Sequence, residues 1–227
     1  MLSTSNVVYV NIARYIRHMA TTRAARPAKK PPDQYHHGDL RRSLLAAAVR
    51  TLQKQGFEAL TLRAVGSELG VSRSALYRHF ADKAALLTAV ASEGFRMLES
   101  ALRAGWEGGG KGRAGFLTMG DSYVRFAVDH PWHYRVMFGS GFELDDDDPE
   151  LNESGKATFG MLVEALVAQQ EAGLVRRDDP QLQANFVWAT VHGVAMLAID
   201  GNFEHQGTDR RVVTRYVLDR IVAALAP

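Results

Sequence analysis

The sequence predicts an all-α protein: an N-terminal three-helix unit built around a helix-turn-helix, then a larger helical body, about nine helices in all. Three observations predict it. Beyond residue 38, apolar residues recur at spacings of three and four, with no alternating strand pattern and no repeat. Glycines, prolines and capping residues cut that pattern into pieces of helical length. Two short pieces are joined by a single tight glycine turn.

The 227 residues suffice for one large domain, or for a small domain and one of ordinary size. With 46% hydrophobic and 23% charged residues, the chain has the composition of a globular protein with a real core. The absence of cysteine excludes disulfides, thiolate metal sites and a cysteine nucleophile. It also fits a reducing cytoplasm, the expected location. No apolar run approaches the roughly 20 residues needed to cross a bilayer, so no membrane partner is expected. At the N-terminus the apolar run Val7–Val10 precedes Arg14 and Arg17, the reverse of the secretory order, and Met19 reads equally well as a start.

The net charge of +2 hides an asymmetry. Residues 1–83 hold 14 Lys or Arg against 5 Asp or Glu, and residues 84–227 hold 13 against 20. A basic front on an acidic body points to a polyanion at the front, nucleic acid first among candidates. A basic tail that binds nothing specific has the same charge.

Residues 1–37 read as a flexible basic arm, since Pro27, Pro31 and Pro32 forbid a continuous helix. Residues 38–98 form the predicted helix-turn-helix domain and 99–227 the predicted larger helical domain. A helix opens after Gly38 with Asp39 as N-cap, buries Leu40, Leu44, Ala47, Ala48 and Leu52, and stops at Gly56. Thr61 caps Leu62–Leu69. Gly70 breaks the chain, and Ser72 caps a helix reaching about His79. Asp82 caps a long helix reaching toward Leu102. Gly105–Gly115 is a predicted glycine-rich loop. Helices follow at Phe116–Asp129, Trp132–Phe138, Glu150–Glu171, Pro180–Ile199 and Thr208–Leu225, with a solvated loop over 139–149. That loop carries the run Asp145–Asp148, which lacks the ligand spacing and glycine of a calcium loop.

In the helix-turn-helix, Gly70 permits the turn, while Val65, Leu69, Val71, Leu76 and Phe80 fix the angle between the helices. The second helix is then free to enter a major groove of double-stranded DNA. Its exposed residues suit that task. Arg73 can reach a guanine or a phosphate, Ser72 and Ser74 can donate to phosphates, and Tyr77 can pack on a sugar or a thymine methyl. Thr61, Arg63, Arg78, His79 and Lys83 complete the candidate DNA-binding set.

The stretch GFEALTLRAVGSELGVSRSALYRHFADKAALLTAV resembles the DNA-binding domain of the TetR family of one-component regulators. The likeness is carried by GF followed by TLRAV, by the turn ELGVS, by SRSALYRHF, and by DKAALL after it, and spans about residues 38–95. HPWHYRVMFG at 130–139 and VWATVHGV at 187–194 are similar to the branch known for a Trp-His-Gly signature, here Trp188, His192 and Gly193. The resemblance implies a homodimer, most often a repressor, that binds a palindromic operator and is released by a small effector. It also implies that the C-terminal helices hold that effector and form the dimer.

The residues lend independent support. Tyr123, Phe126, Trp132, Met137, Phe159, Trp188 and His192 are candidate lining for a largely apolar effector pocket, although each also suits ordinary core. Tyr134, Phe138, Met161, Phe186 and Met196 belong to the same aromatic and methionine-rich population, with His133 a further polar candidate. The small residues Ala184, Ala189, Gly193 and Ala195 suit close helix approach at a dimer interface. Enzyme readings fare worse. His130 and His133 have no H-E-x-x-H context, no G-K-[ST] follows the glycine run, and no serine stands in G-x-S-x-G. No catalytic residue, metal site or cofactor is expected.

Overall fold

The computed structural model describes residues 35–139 and 141–227, with side chains from residue 40 onward. The predicted arm up to residue 34, the leader and Met19 lie outside the described residues. Ten helices occupy the described chain: α1 (Tyr35–Gln55), α2 (Leu62–Glu68), α3 (Arg73–Tyr77), α4 (Lys83–Gly108), α5 (Gly112–Asp129), α6 (Pro131–Phe138), α7 (Pro149–Glu171), α8 (Pro180–Ile199), α9 (Asn202–His205) and α10 (Arg210–Leu225). No strand occurs among the described residues.

The helices fall into two compact units. The first joins residues 35–91 to Arg135–Leu151; the second joins Ser92–Tyr134 to Asn152–Pro227. The division therefore lies inside α4, earlier than the sequence expectation of 98, and the 135–151 segment returns to the first unit.

In the first unit α1 starts before Gly38, so Asp39 lies within the helix instead of capping it. One glycine near a helix end costs only about 1 kcal/mol, which the remaining turns outweigh. Leu44, Ala47, Ala48 and Leu52 are wholly buried along one face. Gly56, at φ +79°, ends the helix in the left-handed region, as expected. The Thr61 hydroxyl accepts from the Ala64 N–H, and the Ser72 hydroxyl accepts from the Ala75 N–H, so both short helices carry the predicted side-chain caps. Asp82 accepts from the Ala85 N–H at the start of α4. Between α2 and α3 the close contact is at Gly66, where a Cβ would come 3.3 Å from Leu76 Cδ2. Val65, Leu76 and Phe80 are buried around it.

In the second unit α5, α8 and α10 pack on one another. The predicted glycine loop over 105–115 is mostly helix: α4 continues through Gly108 and α5 begins at Gly112. The glycines mark close approach of backbones. A Cβ on Gly105 would lie 2.7 Å from Ser122 Oγ and 2.9 Å from the Thr118 carbonyl, and one on Gly109 would lie 2.6 Å from Gly115 Cα. Only residues 109–111 turn between the helices, with positive φ at Gly110 and Lys111.

At α8, Asp179 caps the helix through the Gln181 N–H. At α10 the start shifts from Thr208 to Arg210, because Asp209 supplies the cap by accepting from the Arg211 N–H. The short α9 carries no apolar period long enough to announce it in the sequence. Although no uninterrupted apolar run is long, α8 as a whole is long and apolar enough to cross a membrane, by length and composition. Its apolar residues are shared between two faces. Ala184, Val187, Trp188, Val191, Val194 and Ala195 are buried, while Leu182, Phe186 and Leu197 are exposed.

Candidate nucleic-acid interface and buried polar core

The first unit displays a polar, cationic face on α2 and α3. Thr61, Arg63, Ser72, Arg73, Ser74, Tyr77 and Arg78 are all exposed, and His79 is half-buried. Ser72 and Ser74 lie with their hydroxyls 3.1 Å apart. The Arg73 guanidinium sits 5.3 Å from the centroid of the Tyr77 ring, the (i, i+4) neighbour on the same helix face. Tyr77 is 46% exposed, uncommon for so large an aromatic side chain with no core to fill. Buried Leu76 and Phe80 hold α3 from beneath, leaving this row outward.

Lys83 differs from the other candidates. Its ammonium donates to the Phe57 carbonyl at 2.9 Å and lies 3.6 Å from the centroid of the Phe57 ring. Phe57 in turn meets Phe142 edge to face, at 4.9 Å between centroids and 85° between planes. The segment carrying Phe142 is fastened twice more to this unit. The Asp145 N–H donates to Thr88 Oγ1 at 2.9 Å, and Arg41 pairs with Glu150 at 2.9 Å. Nothing in the residue pattern pointed to Phe142: an aromatic directly after a glycine in a predicted loop has no periodic neighbour.

The second unit holds a connected set of polar groups inside its core. Trp188 Nε1 donates to Tyr123 Oη at 3.0 Å. The Tyr123 and Tyr134 hydroxyls lie 2.9 Å apart, and Tyr134 Oη is 2.7 Å from His192 Nδ1. Indole N–H is a donor only, so Tyr123 Oη accepts from Trp188, and the two tyrosine hydroxyls carry the contact on to His192 Nδ1. Burial lowers the His192 pKa to about 4, because removal from water disfavours the cation. Burial likewise raises both tyrosines above their ordinary range, despite hydrogen bonds from Tyr134 and Trp188 that pull Tyr123 the other way.

Tyr123, Trp188, His192 and Phe159 are thus brought together, Phe159 by an edge contact with Trp188 at 5.8 Å. Tyr134, an aromatic outside the candidate pocket set, is wholly buried at the centre of the cluster. Phe126 lies elsewhere in the unit, its ring tilted beside that of His130 at 5.1 Å between centroids. It lines an open groove of about 550 Å³ with Glu93, Arg96, Met97, Ser100, Ala101, Ala104 and His130. His133 is buried near this groove, its Nε2 3.4 Å from Glu93 Oε2. Burial, with His133 nearby, lowers the His130 pKa. Trp132 is half-buried at the start of α6, and Met137 is buried in the first unit. Of the four small residues expected at an interface, Ala184 and Ala195 are wholly buried within the subunit; Ala189 and Gly193 face outward.

Two family models match the chain. Residues 44–90 match the model for bacterial regulatory proteins of the tetR family, and residues 116–221 match a tetracyclin repressor-like C-terminal domain. An uncharacterized HTH-type transcriptional regulator of Mycobacterium tuberculosis is 27% identical over 208 residues, 91% of this chain and 86% of that one. A solved structure of a protein with unknown function from Rhodococcus sp. RHA1 is 35% identical, with a TM-score of 0.75, covering 86% of this chain and all of the other. A TetR family transcription regulator from Marinobacter aquaeolei VT8 shares the fold at 21% identity, with a TM-score of 0.65 over 85% of this chain and 98% of that one. With the two family models together spanning most of the described residues, and an exposed helix-turn-helix where the first of them falls, the chain belongs to the TetR family of DNA-binding transcriptional regulators.

Proposed function

We propose that the protein is a cytoplasmic, ligand-responsive repressor that binds a palindromic operator as a homodimer and is released by a small, largely apolar effector. The observation that carries the DNA-reading part is the row Ser72, Arg73, Ser74, Tyr77 and Arg78, exposed together on a helix whose opposite side is locked by Leu76 and Phe80. One such helix reads only a few base pairs, and a two-fold pair reads a palindrome with half-sites about one turn apart. Thr61, Arg63, His79 and Lys83 supply backbone contacts around it.

Two faces of the second unit support the homodimer. On α8, Leu182, Phe186, Ala189, Gly193 and Leu197 follow spacings of three and four and are all exposed. On α10, Val212 and Tyr216 are about two-thirds exposed. An exposed apolar stripe of this kind marks a protein–protein contact. The effector reading is supported by the groove beside Phe126 and His130, whose volume falls within the range of small-molecule sites. Met97, Ala101, Ala104 and Phe126 make much of its lining apolar. Tyr123, Trp188, His192 and Phe159, with Trp132 and Met137, remain candidates for effector contact on the resemblance alone. Release requires the effector to prefer the DNA-incompetent arrangement of the dimer.

The test is a titration of the purified chain against the intergenic DNA flanking its own gene, at several salt concentrations. Tight, sequence-dependent binding that an Arg73→Ala, Tyr77→Ala double variant loses is the expected result. Equal binding to scrambled DNA, governed by salt alone, would overturn it.

A further inference from the structure

Lys83 stands at the start of α4 with an ammonium that carries three donors. Phe57 takes one of them at its carbonyl and offers its ring face to the charge. The remaining donors suit a phosphate oxygen. A lysine side chain ordinarily loses about 2 kcal/mol of rotamer entropy when it is fixed on a ligand. A lysine already fixed has that loss behind it before DNA arrives.

What holds the Phe57 ring is Phe142, 85 positions along the chain. The turn that delivers Phe142 is built for it. A Cβ on Gly139 would run into the Arg135 carbonyl and come 3.0 Å from the Phe142 ring, and Gly141, directly before Phe142, has φ +103°, so both positions favour glycine. Asp145 and Glu150 then fasten the same segment to Thr88 and Arg41. Every one of these contacts lies within the first unit.

We propose that Phe142 is a positioning residue for DNA-backbone recognition: through the Phe57 ring it holds the Lys83 ammonium ready for a phosphate, making the segment between α6 and α7 a working part of the DNA reader. The proposal rests on the regulator reading above. It places a determinant of DNA affinity far outside the helix-turn-helix, at a residue that need not touch DNA.

The test is a double-mutant cycle in the full chain, read as DNA affinity against salt, on the operator-containing duplex and a scrambled one. Phe142→Ala should weaken operator binding about two- to tenfold. It should make the salt dependence shallower, in the direction of Lys83→Ala, for which one lost phosphate contact predicts a slope change of about 0.9. The ratio of operator to scrambled affinity should stay as it was. In a Lys83→Ala background, Phe142→Ala should have no further effect. A general loosening of the unit would instead weaken binding equally in both backgrounds, and that result overturns the proposal. So does a Phe142→Ala variant that matches the wild type. A wild-type chain with no preference for any duplex would overturn the regulator reading, and this inference with it.

Discussion

In the DNA-reading unit the polar side chains assigned to function lie outside the core, and in the second unit they lie inside it. Arg73, Ser74, Tyr77 and Arg78 are exposed, and beneath them Leu76 and Phe80 are buried. Tyr123, Tyr134, Trp188 and His192 are joined to one another within the packing of α5, α6 and α8. Reading and stability are therefore separable in the first unit and coupled in the second. Tyr134→Ala breaks the comparison most sharply. Loss of a wholly buried aromatic costs about 3–5 kcal/mol, and the variant leaves the Trp188 to His192 chain without its middle link. Arg73→Ala should shift stability by no more than about 0.5 kcal/mol while removing about 1–3 kcal/mol of base discrimination. Denaturant unfolding and operator binding on the same two variants measure both arms. Equal stability losses would mean that the two units share one architecture of risk.

Acid sharpens the same contrast. His192 has a folded pKa of about 4 against an ordinary 6.5. Above pH 6.5 neither folded nor unfolded chains hold a proton there. Between 6.5 and 4 only the unfolded chain takes one, so stability falls as pH falls; below 4 both are protonated and the loss is complete. The full effect is about 3 kcal/mol. His192→Gln should flatten this part of the pH dependence, whatever it does to stability at pH 7. Unfolding midpoints from pH 7 to pH 4 for both proteins give the answer, and parallel curves would remove His192 from the account.

The two units also differed in how far they could be read from the sequence. The helix-turn-helix was legible down to single caps, because its signals are local: Thr61 and Ser72 act on N–H groups three residues away, and Gly56 and Gly70 adopt positive φ at the places where the chain must turn. The second unit obeys distant constraints. Gly105, Gly109 and Gly115 look like a flexible loop in one dimension, yet they are sites where α4 and α5 come too close for a Cβ. The aromatic population was visible, but not which members meet, since Tyr123 finds Tyr134 and Trp188 across 11 and 65 positions. Phe142 was invisible for the same reason: its partner Phe57 belongs to another part of the chain.

That distinction between turning glycines and packing glycines is itself open to test. Gly105→Ala puts a methyl 2.7 Å from Ser122 Oγ and 2.9 Å from a backbone carbonyl, so α4 and α5 must separate. Overpacking of this kind costs about 1–3 kcal/mol. Gly108, three residues on in the same helix, has nothing within 4 Å of the added methyl and no positive φ. Gly108→Ala should gain helix propensity, up to about 1 kcal/mol. Opposite signs from chemically identical substitutions would establish close approach as the reason for the glycine run. A matching gain at both positions would restore the loop interpretation.

The smallest effect is expected at Ser72. Its hydroxyl caps α3 at Ala75 and lies beside Ser74, both in water. Ser72→Ala removes one cap, worth about 1 kcal/mol, from a helix of only five residues. Such a helix has little stability of its own, so the loss falls on the reading surface more than on the fold. Hydrogen exchange of the α3 amides should rise, operator affinity should drop by less than about tenfold, and global unfolding should move little. Ser72→Asp separates the two roles of the hydroxyl. An aspartate caps as well as serine but repels phosphate, so it should restore amide protection without restoring DNA affinity. Recovery of both would leave Ser72 a cap and nothing more.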